Sequence, residues 1–193
     1  MSALEERGFT LPEVMLALTF GSLIALAAAK TYPVLRQHSV DVGRHYRLES
    51  VLRQLAFGIE KDLRRAGFCA GQCRGKPMLI SHASGEAADS CVIVAYDIAR
   101  NGRWEASGAD ASYFGYRLRQ GMLEGQRGVK HCSGTGWERL LDNDEVRIET
   151  FNLKVNTGDR GKTWVALALT GRSKANSGIR RSLHWAINMA SLP

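Results

Sequence analysis

The apolar segment from Phe9 to Ala29 constrains this chain more than any other feature. It contains 21 residues, most of them apolar, and it follows a short charged leader that ends in Gly8. An α-helix rises about 1.5 Å per residue, so a helix of this length crosses a hydrocarbon core of roughly 30 Å. The segment therefore predicts one membrane-spanning helix near the N-terminus.

The order of leader and apolar segment differs from that of an ordinary secretory signal. In such a signal the apolar region precedes the cleavage site and is removed with it. Here the plausible cleavage site lies between Gly8 and Phe9, before the apolar segment. A processed chain would therefore keep its membrane anchor.

Glu13 is the single ionisable residue within the apolar segment. An ionisable side chain at membrane depth costs about 3 kcal/mol on insertion scales, so it needs a partner. Cleavage after Gly8 would supply one, because the new α-amino group of Phe9 is a cation. The same pairing between neighbouring chains would draw anchor helices together in register. The alternative is a simple anchor that tolerates an interfacial glutamate.

The sequence GFTLPEV at residues 8–14 resembles the class III signal of type IV pilins and type II secretion pseudopilins. This resemblance implies that a prepilin peptidase cleaves after Gly8 and methylates the new terminus at Phe9. It also implies that Glu13 guides docking into a growing filament. Pro12 stands where many members carry another apolar residue, and proline is tolerated near a helix start because the first N–H groups are unpaired there.

The rest of the chain predicts an α+β protein with a long N-terminal helix and an antiparallel β-sheet domain. The resemblance implies that this is the type IV pilin fold. Residues 1–8 form the leader, 9–30 the transmembrane helix, 31–67 its amphipathic continuation and 68–193 a β-rich globular domain. Pro33 predicts a kink, and Gly67 after Arg64 and Arg65 predicts the helix end. The continuation carries apolar residues at helical spacing, namely Leu48, Leu52, Leu55, Ile59 and Leu63.

Beyond residue 73 the apolar pattern changes to period two, which is typical of strands. The predicted strands are 91–96, 113–119, 122–126, 146–155, 163–170 and 182–188. Asn101-Gly102 and Gln120-Gly121 are turn signals between them. Sequential hairpins form an antiparallel sheet, and the amphipathic helix would cover one of its faces.

The chain has four cysteines, Cys69, Cys73, Cys91 and Cys132. An even number in a domain that the anchor delivers outside the cytoplasm suggests disulfides, and three connectivities are possible. We favour Cys69–Cys73 with Cys91–Cys132. Zinc is the competing interpretation, but no H-x3-5-H pair accompanies the C-x3-C spacing, so we expect no metal and no cofactor.

Charge and motifs argue against nucleic-acid binding and catalysis. The formal net charge is +7, and loss of the leader, in which Glu5, Glu6 and Arg7 sum to −1, would raise it to +8. The basic residues are dispersed and no aromatic-interleaved basic tract accompanies them, so we expect no specific nucleic acid. The histidines are scattered, and a disulfide-bonded Cys132 beside His131 offers no nucleophile, so we expect no enzyme.

Downstream motifs narrow the resemblance. The sequence RRAGFC at residues 64–69 resembles the helix end of minor pilins called PilW and of pseudopilin J. Four later motifs resemble the prepilin peptidase-dependent protein B family, namely CVIV at 91–94, NGRW at 101–104, YRLR at 116–119 and CSGTGW at 132–137. The family implies a single-pass protein of the bacterial inner membrane with a periplasmic domain. It implies a minor pilin that joins other minor pilins to prime type IV pilus assembly, at the fibre tip.

The implied partners are prepilin peptidase, other minor pilins, the major pilin, the inner-membrane assembly platform and membrane lipid. Two alternatives share the anchor. A J-like type II secretion pseudopilin would initiate a pseudopilus instead. A pilin at the tip that binds DNA or a surface would need an exposed binding site, for which the sequence shows only diffuse positive charge.

Overall fold

The computed structural model describes residues 9–158 and 162–189. These residues divide into two compact units, with the boundary between Gly43 and Arg44. We call the second one the C-terminal unit. The elements are α1 (Leu11–Arg65), β1 (Met78–Ser81), β2 (Cys91–Ala95), β3 (Tyr113–Arg119), β4 (Met122–Arg127), β5 (Glu138–Arg139), β6 (Val146–Thr157), β7 (Thr163–Ser173) and β8 (Arg180–Asn188).

Helix α1 runs through Pro33 as one element of 55 residues and ends as the glycine signal predicts. Gly67 has φ 88°, a left-handed conformation that glycine adopts without steric cost. The N–H of Gly67 donates to the carbonyl of Ala95 at 2.9 Å, and the N–H of Phe68 donates to that of Arg65 at 2.9 Å. The helix end is therefore fixed to the end of β2.

Five strands form an antiparallel sheet in the order β1-β2-β3-β4-β5. The β3–β4 connection is the predicted tight turn, with Gln120 at φ 52° and Gly121 at φ 79°. Two successive positive φ angles are typical of a type I′ turn, whose twist matches that of the flanking strands. The second turn signal, Asn101-Gly102, instead lies within the long loop between β2 and β3.

The other three strands form an antiparallel sheet in the order β6-β7-β8. Central strand β7 buries alternate residues, among them Val165, Leu167 and Leu169. Gly171 continues that buried face, where an added Cβ would lie 3.0 Å from a methyl carbon of Leu52. A glycine at this position therefore permits close approach between β7 and α1.

The main core of the C-terminal unit joins α1 to both sheets. The helix contributes the buried face that the sequence predicted, and the sheets contribute alternating apolar residues. The largest fully buried side chains of the described residues are Leu48, Leu52, Ile59 and Leu63 from α1, Val92 from β2, Leu123 from β4, Ile148, Phe151 and Leu153 from β6, Leu167 and Leu169 from β7, and Ile187 from β8. Burial of each large apolar side chain contributes about 1.5 to 3 kcal/mol, so this shared core stabilises the unit.

The α+β prediction is confirmed, and the sheet arrangement adds to it. The sequence led us to expect one sheet, whereas the described strands form two. Strand β5 is two residues long and ends the first sheet, and β6 then pairs with β7 over eleven registered residues. Strands β1 and β5, at four and two residues, were missed because a period-two pattern is not visible over so few positions.

Candidate assembly site

The structure places Glu13 in the first turn of α1. The carbonyl of Thr10 accepts the first helical hydrogen bond, from the N–H of Val14 at 3.2 Å, so Thr10 is the N-terminal capping position. Pro12 lies in the same first turn, where its missing N–H breaks no helical bond. A carboxylate in the first turn interacts favourably with the partial positive charge of the helix N-terminus. Glu13 is thus compatible with its local helix, whatever else it binds.

Helix α1 has one stretch that is long and apolar enough to cross a membrane, and no residue of that stretch is buried by the protein. The large apolar side chains between Leu11 and Leu26 are exposed; Leu11 is 76% exposed and Leu26 is 60% exposed. Two hydroxyls in it donate to the helix itself, Thr19 to the carbonyl of Leu16 and Ser22 to that of Thr19, each at 2.8 Å. Apolar side chains with internally satisfied hydroxyls fit a single-pass membrane anchor.

Glu13 is the exception in this stretch. Within residues 9–158 and 162–189, no side chain forms an ion pair or hydrogen bond with its carboxylate. Phe9, whose amine would be freed by cleavage, is 82% exposed. Gly8 lies outside the described residues, so the cleavage position remains a prediction from the sequence. A carboxylate at membrane depth is costly without a partner, and the described residues supply none for Glu13.

The loop after α1 is organised by the carboxylate of Asp97, a residue that is 2% exposed. Its oxygens accept the backbone N–H groups of Gly102 at 2.8 Å, Asn101 at 3.1 Å and Ala70 at 3.2 Å. Burial opposes ionisation of this carboxyl, but the backbone donors outweigh burial and lower the pKa of Asp97. Asp97 thus joins the two loops at the end of the helix by accepting hydrogen bonds from both.

The structure contains two disulfides, and they join the pairs favoured from the sequence. Cys69 is bonded to Cys73 within the loop after α1, and Cys91 of β2 is bonded to Cys132 in the loop after β4. Cys69, Cys73 and Asp97 bring two sulfurs and a carboxylate within 4.8 Å of one another. Sulfurs that are bonded to each other are not thiolates, so this group does not form a zinc site in the oxidised protein.

The second disulfide belongs to a smaller core on the opposite face of β2 and β3. Next to it lies Arg117 on β3, whose side chain is 3% exposed and donates to Glu124 at 2.8 Å. The same guanidinium donates to the carbonyl of Cys132 at 2.8 Å and lies 4.3 Å from the centre of the Trp137 ring. Sequence reasoning missed this pair, which holds the 132–137 loop against the sheet.

A second buried polar group connects α1 to the five-stranded sheet. The carboxylate of Asp62 accepts the hydroxyl of Tyr116 at 2.5 Å and that of Tyr96 at 3.1 Å. Burial, with the added charge of Asp62, raises the pKa of Tyr96 to about 12 and raises that of Tyr116 as well. Both phenols therefore stay neutral and donate at physiological pH. The sequence did not single out Asp62. This residue stands next to Leu63 of the apolar helix face and does not break the i+3 and i+4 spacing of the apolar residues.

An open groove lies along one side of α1 in the C-terminal unit. Its volume is about 420 Å³, and it is lined by the helix residues Val51, Gln54, Leu55 and Gly58 and by Tyr116, Leu140, Leu141, Asp142, Glu145 and Val146. Phe57 of the helix is 65% exposed and Leu140 is 38% exposed. The groove offers apolar side chains, and Phe57 adds an exposed aromatic ring on the same helix. Apolar surface that is accessible to solvent is typical of protein contacts.

The long apolar helix and the antiparallel sheets define a pilin-like α+β protein. Residues 41–189 match the family model described as prepilin peptidase-dependent protein B. Prepilin peptidase-dependent protein B of Escherichia coli (strain K12) is 34% identical over 150 residues, which cover 77% of this chain and 78% of that protein. No solved structure matches the chain significantly. The chain belongs to the prepilin peptidase-dependent protein B family.

Proposed function

We propose that this chain is a minor pilin that initiates type IV pilus assembly. Prepilin peptidase cleaves it between Gly8 and Phe9 and methylates Phe9, and the mature protein then joins other minor pilins in a priming complex near the fibre tip. The observation that carries this proposal is the carboxylate of Glu13 in the first turn of an exposed apolar helix, where no described residue pairs with it. The name of the Escherichia coli relative, which describes dependence on prepilin peptidase, supports the processing step.

The mechanism follows from the cost of charge in lipid. A carboxylate and an amine at membrane depth each cost about 3 kcal/mol unless they pair, so pairing between chains offsets the cost of both. The amine of Phe9 on one subunit pairs with a glutamate equivalent to Glu13 on its neighbour, which aligns the two helices in register. Before cleavage the nitrogen of Phe9 is part of the peptide bond to Gly8 and carries no charge, so cleavage is required for the contact.

In this proposal the C-terminal unit selects the neighbouring pilin in the periplasm. The groove beside α1 offers apolar surface bordered by Asp142 and Glu145, and Phe57 of the same helix is also exposed. Helix pairing alone is common to all subunits that carry the same glutamate. Contacts of the folded unit therefore supply the specificity that helix pairing lacks.

The substitution Glu13→Ala tests the assembly contact. We expect normal cleavage, shown by intact mass, with loss of co-purifying minor pilins and fewer pili on the cells. Glu6→Ala serves as the matched control, because cleavage removes Glu6 and the mature chains are identical. Normal piliation together with normal co-purification in Glu13→Ala would exclude the proposed pairing.

A deletion strain separates the pilus from type II secretion. Loss of pili with unchanged export of secreted proteins supports the proposal made here. The reverse phenotype assigns the chain to a pseudopilus, with the same anchor and processing. Steeply salt-dependent DNA binding by the purified chain would instead support a nucleic-acid role at the tip.

A further inference from the structure

The two disulfides lie in different environments. Cys91 and Cys132 are 0% and 5% exposed and belong to the smaller core. Cys69 and Cys73 are both partly exposed, and their bond closes a short ring just beyond the helix end. An external thiol reaches the Cys69–Cys73 bond far more readily than the Cys91–Cys132 bond, because thiol exchange requires access to a sulfur.

The two sulfurs of the exposed bond also differ from each other. Cys69 Sγ accepts the N–H of Cys73 at 3.0 Å and the N–H of Gly71 at 3.4 Å. Within the described part of the chain, Cys73 Sγ accepts no such bond. Backbone N–H donors stabilise a thiolate, and the more stable thiolate leaves faster in thiol exchange. The surroundings thus favour Cys69 as the leaving sulfur.

The carboxylate of Asp97 works against a thiolate here, since it lies within 4.8 Å of both sulfurs. Its effect is moderated, because its own oxygens already accept three backbone N–H groups. It also acts on both sulfurs, whereas the N–H donors act on Cys69. The difference between the sulfurs therefore comes from the donors.

We propose that Cys69–Cys73 is a thiol-exchange site for a dithiol oxidoreductase, with Cys73 as the sulfur under attack. A thiolate of the partner attacks Cys73 Sγ, a mixed disulfide forms there, and the Cys69–Cys73 bond breaks as Cys69 leaves with the electron pair. The second thiol of the partner then attacks its own sulfur in the mixed disulfide and releases Cys73. The partner dithiol is oxidised to a disulfide, and the protein disulfide is reduced to two thiols after protonation.

The test uses the full chain in detergent micelles with reduced glutathione as the probe. Samples are quenched with N-ethylmaleimide over time, and mass spectrometry locates the alkylated and glutathionylated cysteines. We expect Cys69–Cys73 to open at least about tenfold faster than Cys91–Cys132. We also expect glutathione to appear on Cys73 while the maleimide appears on Cys69.

Three results would overturn the proposal. They are equal opening rates of the two disulfides, glutathione found mainly on Cys69, or an exposed bond that stays closed under conditions that reduce an unstructured peptide disulfide. The variant Cys69→Ser/Cys73→Ser is the control, in which the fast reaction must disappear. Should that variant fail to fold, the site of glutathione on the natural chain still decides. The outcome is independent of the pilus, because it is read on the purified protein.

Discussion

At the scale of the residue, the C-terminal unit depends on glycines and buried polar groups whose purpose lies in three dimensions. Gly115 of β3 is an example, because it lies beneath the 128–137 loop. A Cβ built on it would stand 2.6 Å from a methyl carbon of Val129 and 2.8 Å from the Trp137 ring. A glycine inside a strand is otherwise unfavourable, so the close approach of the loop explains it.

Gly115→Ala should destabilise the protein by about 1 to 3 kcal/mol, because the added methyl group forces the loop away from the sheet. The free energy of unfolding in urea measures this change. Gly58→Ala is the control, since no atom lies within 4 Å of its added Cβ and it lies in α1. Alanine in a helix is favoured by about 1 kcal/mol over glycine, so the control should be neutral or stabilising. Equal effects of the two variants would contradict the packing argument.

Asp97 predicts a pH dependence of stability. Its pKa is lowered in the folded protein, so its contribution is fully present above the ordinary value of 3.8 and is lost as the pH falls through the lower folded pKa. Asp97→Asn should therefore melt at a lower temperature than the natural chain at pH 7, and the gap should narrow below about pH 4. Asp110→Asn, on an exposed carboxylate of the same loop, is the control. A gap that does not change with pH would refute this role.

At the scale of the element, the sequence was informative about α1 and less so about the sheets. Apolar spacing and the glycine signal located the buried helix face and its end, because both depend on local geometry. Strands of nine residues or more, such as β6, β7 and β8, were recognised for the same reason. The short strands β1 and β5 exist because neighbouring strands offer hydrogen bonds, which no local pattern reveals.

The disulfide between Cys91 and Cys132 ties two elements that are 41 residues apart in the sequence. The double variant Cys91→Ala/Cys132→Ala should lose about 3 to 4 kcal/mol of unfolding free energy in the chain-entropy model. Cys69→Ala/Cys73→Ala removes a bond that closes a ring with a sequence separation of four, so this variant should lose only about 2 kcal/mol. Urea unfolding of both variants gives the comparison. A larger loss in the second variant would contradict this ranking.

At the scale of the whole molecule, the chain combines a long apolar helix with a folded unit that contains two antiparallel sheets. The family match covers residues 41–189 and so rests on the folded unit. The resemblance to a prepilin signal rests on residues 8–14 and is independent of that match. Two separate parts of the chain therefore support the same proposed function.

Gly8→Leu should leave the chain uncleaved in the membrane, because the resemblance assigns the peptidase its substrate glycine at this position. Intact mass of the purified protein would show the leader still attached. Arg7→Lys keeps both the charge and the glycine, and should be processed normally. Mature-sized protein from Gly8→Leu would refute the assigned cleavage site.

The sequence was sufficient to predict the long apolar helix, its amphipathic continuation and the α+β class. It also led to the proposed cleavage position at Gly8 and the proposed assembly contact at Glu13. These features depend on composition and short spacing, which are local. Only the tertiary structure decided that the strands form two sheets, that Asp62 and Asp97 join separate segments, and that Arg117 is buried against Glu124. Those contacts join different segments of the folded unit, and they stabilise it only once folding has brought the partners together and excluded water from them.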